Sequence, residues 1–312
     1  MLMRTLGRLG LVRNWFVSEN NFLEEDDNNA IDWIRVTPFF LLILSSFLVF
    51  YVNVTGIAVL TAVFLVFIRA FSICAFYHRY FSHKAFKTNR FWQFIFAAIA
   101  GTAIQRGPLW WAAHHRQHHM VSDQPEDAHS PVQHGFWWSH VGWFLSKKFH
   151  NYNPDRVRDL MVYPELVFLE RYHLFMPTVL FLCLMTVGWL LQVYRPELHT
   201  GVKEMLVWGF SVSTFVLFNI TALINSLCHV HGSRRFATND NSRNSLLFAL
   251  LALGEGWHNN HHHYSASARQ GFMWWEIDIT YYIIKLMALL GIVWDVQPVP
   301  KSVLTKNRIK QS

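Results

Sequence analysis

Eight histidines fall into three short boxes: His78-Arg79-Tyr80-Phe81-Ser82-His83, His115-Arg116-Gln117-His118-His119 and His258-Asn259-Asn260-His261-His262. The second and third boxes share one internal spacing. Each residue of an α-helix advances about 100°, so the histidines three and four places after the first flank its direction and three imidazoles share a face. Two such faces can close on a common centre. The first box is looser: a separation of five leaves His78 and His83 roughly 140° apart on an ideal helix. The helix is therefore expected to end or distort there. Neutral imidazole suits iron, copper, zinc or nickel. The ligand count exceeds the four of a structural zinc, and no Cys pair stands beside the boxes. Two metal ions fit this count better than one. Asn225 and His229, four apart, share a helix face at the end of an apolar run. Isolated His150, His173 and His199 are read as ordinary core or surface residues, and His231 is left open with His229.

The elements that must position these boxes are apolar. Of 312 residues, 52% are hydrophobic and 16% aromatic, with a mean hydropathy of +0.18. That is too apolar for an ordinary soluble domain and too charged for an all-membrane bundle. Four stretches approach the roughly 20 apolar residues that a span needs, at about 36–52, 57–76, 174–193 and 205–224. Trp and Tyr suit interfacial belts. Arg69 falls inside the second stretch, where it can either snorkel to the interface or pair with a carboxylate of the extramembrane part. The first two boxes follow the second stretch and the third follows the fourth, so an even number of crossings separates them and all three lie on one side. The formal net charge is +7. Arg4, Arg8, Arg13 and Arg35 precede the first span, Arg79, Lys84, Lys87, Arg90, Lys147 and Lys148 accompany the boxes, and Lys301, Lys306, Arg308 and Lys310 end the chain. The loops on the other side hold only Arg195 and Lys203, so the positive-inside rule places the boxes and both termini in the cytoplasm of an inner (plasma) membrane protein. The basic balance reads as attraction to the bilayer surface, with no nucleic-acid partner.

These features give an all-α integral membrane protein, with four transmembrane helices and a cytoplasmic helical cap, in one domain over 1–312. Residues 1–35 form a polar N-terminal segment and residues 77–173 and 229–312 the cytoplasmic parts. Arginines interrupt any signal-peptide core near the start, and an interfacial helix over residues 2–17 is expected. Cys74, Cys183 and Cys228 sit in or at apolar stretches, with no pair suggesting a disulfide. Phe91 to Gln105 is too short to span and reads as buried or re-entrant. Tyr281 to Trp294 is expected to lie on the membrane. Either can serve as floor or wall of an apolar pocket, or simply pack against the spans.

From about Thr37 to Pro300 the chain resembles membrane-bound fatty acyl desaturases of the stearoyl-CoA Δ9 type, in a bacterial form. The three boxes in order carry this resemblance. So do Ser139-His140-Val141-Gly142-Trp143, Asn225-Ser226 with His229, and Gly254-Glu255-Gly256-Trp257-His258-Asn259. It implies a histidine-box di-iron site, with two iron ions ligated by His78, His83, His115, His118, His119, His229, His258, His261 and His262, and by Asn225 through a water. His114 and His263 are outside the motif positions, and His114 stands where the family usually has an Asp. The implied reaction uses O2 and two electrons to remove hydrogen from adjacent methylenes and leave a cis double bond. Gln105 and Trp111 match residues that line the family's bent acyl tunnel; read alone, Trp111 suits an interfacial anchor equally well. Lys147 and Lys148 match a basic pair that contacts CoA phosphates. The family's Arg two places before the second box is Ala113, and its Trp three before Asn225 is Ala222. The substrate expectation is therefore acyl-CoA, with acyl-lipid as the alternative. No haem-binding His-Pro-Gly-Gly and no dinucleotide fingerprint occur, so electrons are expected from a separate ferredoxin, rubredoxin or flavin reductase. A related membrane hydroxylase or alkane monooxygenase shares the histidine pattern. A metal transporter, which would place its ligands at the bilayer midplane within spans, fits it less well.

Overall fold

The computed structural model describes Val17 and residues 29–309. The expected interfacial helix over 2–17 lies almost wholly outside the described residues. Among the described residues, four helices are long and apolar enough to cross a membrane: α1 (Trp33–Tyr51), α2 (Gly56–Ser82), α6 (Phe175–Tyr194) and α7 (Val202–Leu227). Between them come α3 (Arg90–Gly101), α4 (Pro108–Val121) and α5 (Pro164–Arg171). After them come α8 (His258–His263) and α9 (Ile279–Leu289).

Local chemistry starts most of these helices. Asp32, Asn89 and Asp278 each accept a hydrogen bond from the backbone N–H three residues on, at 3.2, 3.0 and 3.0 Å, and so satisfy an orphan donor of the first turn. Pro108 and Pro164 open α4 and α5, where their missing N–H costs nothing. At α4 the buried Glu170 accepts from the N–H groups of Leu109 and Trp110 at 3.0 and 2.8 Å.

Helices α2 and α7 form the centre of the membrane part, with α1 and α6 outside them. Along α1 and α6, Leu41, Leu44, Phe47, Phe50, Leu182, Met185 and Trp189 are exposed, as a lipid-facing surface requires. The main core lies at the boxed end of α2, where Phe71, Phe76, Tyr77 and Phe81 pack with Ala97, Leu109, Leu166, Leu217 and Ile284. The segment from Phe91 is thus a short helix, α3, half-buried against α2: Gln93, Ala97, Ala98 and Ala100 face inward and Phe91 is exposed. Helix α9 buries Thr280, Ile284 and Met287 and exposes Tyr282, Leu286 and Leu289. A two-stranded antiparallel pair, Lys87–Thr88 with Val293–Trp294, ties the chain after the first box to the chain after α9.

Helix α2 runs past the predicted end of its apolar stretch, to Ser82. Over Ile73–Ser82 it is a π-helix. Its hydrogen bonds run from i to i+5, so residues five apart lie nearer one side than they would on an α-helix. The expected distortion at the first box therefore takes a specific form: the helix widens through His78 and ends at Ser82, and His83 is its C-cap, with its N–H donating to the Tyr80 carbonyl.

Candidate metal centre

Four segments deliver nine histidines to one place. His78 and His83 come from the π-helical end of α2, and His115, His118 and His119 from one face of α4. His229 lies just beyond α7, and His258, His261 and His262 lie on α8. They sort into two groups able to hold an ion. One comprises His78, His83, His115, His119 and His261. The other comprises His118, His229, His258 and His262. Each box of H-x-x-H-H form contributes to both groups.

The ring nitrogens fit a cation. In the five-histidine group the Nε2 atoms of His78 and His261 are 3.0 Å apart, those of His83 and His115 2.8 Å, those of His119 and His115 3.1 Å and those of His261 and His119 2.9 Å. In the other group His229 and His258 meet at 3.0 Å and His118 and His262 at 3.4 Å, again through Nε2. In the five-histidine group these pairs form a chain in which His261, His119 and His115 each make two contacts through one Nε2, and that atom has only one proton or one lone pair to offer, so the contacts cannot all be hydrogen bonds. Separations near 3 Å are those of donor atoms around a common ion held at about 2.0–2.1 Å. Burial, reinforced by neighbouring histidines, holds the pKa values of His83, His115, His119, His258 and His261 well below the ordinary range. Neutral imidazoles with free lone pairs are the form that ligates a metal.

Carboxylates behind the rings fix which nitrogen is free. Nδ1 of His118 lies 3.0 Å from Asp127, Nδ1 of His229 2.9 Å from Asp123 and Nδ1 of His262 2.6 Å from Asp240. Nδ1 of His78 pairs with Glu255. Each contact puts the ring proton on Nδ1 and leaves Nε2 as the ligand atom. Although burial works against them, the bond to His229 holds Asp123 down to about 2, and the charges of His78 and Arg79 hold Glu255 down to about 2. Burial lowers His262 to about 4 even against Asp240. For His118 burial is outweighed by Asp127, and its pKa is raised.

The remaining box residues assemble this cluster. Arg79 donates to Glu255, to Asp278 and to the Ala268 carbonyl, all buried. Arg116 donates to Asp159 and to the carbonyls of Phe81 and Ser82, pinning α4 to the end of α2. Asn244 Oδ1 accepts from the N–H groups of Asn259 and Asn260 at the start of α8. Gly254, at φ +122°, leaves no room for a Cβ, which would stand 2.3 Å from Asp278 Oδ1. That close approach lets Glu255 reach both His78 and Arg79.

A cavity of about 1290 Å³, its open mouth included, leads to the cluster. Its wall includes Val36, Pro38 and Phe39 of α1, Ile104, Gln105 and Arg106 of the α3–α4 turn, and Trp111, His115, Thr221, Ala222 and Asn225. A second cavity of about 640 Å³ continues between α2 and α7. Trp111, His115, His129, Thr221 and Asn225 line both. Gln105 donates to Thr221 at 3.1 Å and so bridges the wall from the α3–α4 turn to α7. Ile104 and Arg106 adopt left-handed φ values of 60° and 68°, a costly conformation for a β-branched residue and one that concentrates at functional sites.

Most of the singled-out residues meet here: the nine histidines in the two groups, with Asn225, Gln105 and Trp111 in the cavity wall. Lys147 and Lys148 are exposed and line neither cavity, but they directly follow the wall residues Leu145 and Ser146. His114 stays out of both groups and hydrogen-bonds to the Asn151 carbonyl at 3.1 Å. His150 and His173, read as ordinary residues, line the open cavity, as do His129 and His140. Sequence reasoning missed these and the four supporting carboxylates. Asp127, nine residues after His118 beside the second box, offered the nearest signal.

The fatty acid desaturase family model matches residues 55–289. The Arabidopsis thaliana protein named Delta-9 acyl-lipid desaturase 1 is 37% identical over 261 residues, covering 83% of this chain and 79% of its own. The acyl-CoA C20 Delta5-desaturase of Anemone leveillei is 37% identical over 227 residues, covering 71% and 67%. The chloroplastic palmitoyl-monogalactosyldiacylglycerol delta-7 desaturase of Arabidopsis thaliana is 37% identical over 224 residues, covering 71% and 57%.

Proposed function

The chain belongs to the fatty acid desaturase family, which makes it an oxidoreductase acting on fatty acyl chains, and we propose that it introduces a cis double bond at Δ9 into a saturated acyl-CoA. One observation carries this reading. The cavity wall and the candidate metal ligands share His115 and Asn225, so a chain threaded from the mouth into the second cavity runs beside both histidine groups.

The two groups, five and four nitrogens with no carboxylate ligand, fit two iron ions, and Asn225, in the wall of both cavities, would serve as a contact through a water. Bound there, iron would supply the activation of O2 that unactivated methylenes require. The balance is one O2, two electrons and two protons consumed for each pair of methylenes converted to an alkene, with two waters formed. The electrons come from a separate ferredoxin, rubredoxin or flavin reductase.

What this chain's residues contribute is positioning. The carboxylates hold the rings with Nε2 inward. Trp111 and the Gln105–Thr221 bond narrow the cavity beside the ligands and fix which methylenes lie there. Apolar residues of the second cavity, among them Ile73, Leu217, Ile220 and Ile224, keep water from the terminal half of the chain. Lys147 and Lys148, exposed and next in sequence to the wall residues Leu145 and Ser146, suit phosphates held outside the mouth. Four apolar helices and the charge asymmetry support an inner-membrane protein with its site and both termini in the cytoplasm.

An acyl-lipid substrate is the second reading. It is favoured by the presence of α1 residues Val36, Pro38 and Phe39 in the open wall, where a bilayer lipid would enter from the side. Protein reconstituted in nanodiscs with a reduced donor separates the two. Unsaturated product from added stearoyl-CoA supports the first. Product found only in the nanodisc phospholipid supports the second.

A further inference from the structure

One buried charge has no part in this chemistry. Arg69 lies thirteen residues into α2, about 20 Å from its start at Gly56, and its side chain is 0% exposed. It neither snorkels nor meets a carboxylate, the two expectations from sequence. Nε donates to the Leu65 carbonyl at 2.9 Å, Nη1 to Thr214 Oγ1 at 2.8 Å and the Thr102 carbonyl at 3.4 Å, and Nη2 to Ser213 Oγ at 2.5 Å. All these partners are neutral. A guanidinium inside a membrane span is costly, and its retention calls for a role.

Its position supplies one. The second cavity is walled by Ala70, Ile73 and Cys74 from α2 and by Leu217, Ile220 and Ile224 from α7. Along both helices the lining stops at Ala70 and Leu217. The residues next to that limit, Arg69 on α2 and Ser213 and Thr214 one turn back on α7, are the ones the guanidinium clasps together. The Thr102 carbonyl, after α3, takes a bond from the same guanidinium and so ties a third segment to the clasp. We infer that the Arg69 clasp is the floor of the acyl cavity and sets the longest chain that fits, an inference that rests on the acyl reading of the cavity.

A polar floor discriminates more sharply than an apolar one. Leu and Phe side chains yield to an extra methylene by changing rotamer. A guanidinium bonded on every side yields only by leaving donors unpaired in an apolar surround, so a longer chain meets a steep penalty.

The test is the chain-length profile of unsaturated products in cells supplied with a mixture of saturated fatty acids. Arg69→Leu, which opens the clasp, raises the ratio of longer to normal-length product by roughly tenfold or more. Leu217→Phe, which adds bulk above the floor, shifts products to shorter chains. An Arg69→Leu protein that reaches the membrane and is active with the wild-type profile overturns the inference. Where that variant does not accumulate, Thr214→Val, which removes one acceptor, is read by the same criterion: a longer profile supports the floor and an unchanged one overturns it. Wild-type protein that yields no unsaturated product from any chain would instead overturn the acyl reading itself.

Discussion

Replacing Asp240 with Asn separates the two histidine groups. Asp240 Oδ2 accepts from His262 Nδ1 at 2.6 Å, while its other oxygen accepts from the Ser242 N–H and Thr238 Oγ1 at 3.0 and 2.8 Å. Those last two donors compel an Asn to keep its carbonyl oxygen on their side. Its NH2 then faces His262 Nδ1, which must become an acceptor. The imidazole proton moves to Nε2, the atom that faces His118 Nε2 at 3.4 Å in the four-histidine group. The ligand is lost from that site without any change of shape. Loss of such a supporting partner weakens metal binding about 10- to 100-fold, or roughly 1.4–2.7 kcal/mol. The five-histidine group is supported instead through His78 by Glu255 and should keep its affinity. Metal content per chain after purification, followed by titration of stripped protein with Fe2+ against a competing chelator, reads both effects. The expected result is one weakened site and one unchanged site. Two unchanged affinities in Asp240→Asn would refute the tautomer argument.

Lys147→Ala with Lys148→Ala should raise KM for acyl-CoA and leave kcat unchanged, with the larger effect at low ionic strength because exposed charges are screened by salt. An unaltered KM at low salt would shift the assignment to a lipid-held substrate. Acidification should destabilise the metal-free fold. His83, His115, His119, His258 and His261 are depressed below their unfolded value near 6.5, and His262 to about 4. The unfolded chain therefore takes up protons that the folded chain refuses, and stability falls as pH drops from about 6.5 towards 4. Thermal unfolding of stripped protein across that range checks it, and a flat or rising melting temperature would contradict it.

Much of this site could be read from spacing alone because its candidate ligands come in helical registers. An H-x-x-H-H box puts three rings on one face, and α4 and α8 use that face as expected. The first box is legible only as an anomaly: a five-residue separation is wrong for an α-helix, and the helix there widens through His78 and stops before His83. The pairing of the supporting carboxylates with their histidines was hidden for a different reason. Asp123, Asp127 and Asp240 reach their histidines from irregular segments, and Glu255 is 177 positions from His78, so no periodicity links the partners. The same holds for the cavity wall, where His150 and His173 are isolated in sequence and brought in by tertiary packing. Arg69 was conspicuous as a charge in an apolar stretch. Its partners, Ser213 and Thr214, were not, because hydroxyls within an apolar helix carry no mark of what they face.

The most direct test of the account is the fatty-acid profile, with double-bond positions, of a bacterial host expressing the chain beside its His118→Ala variant. A new cis-unsaturated species, at Δ9, that disappears in the variant while the variant protein remains in the membrane is the predicted result. A hydroxylated product, or undiminished unsaturation in His118→Ala, would contradict it.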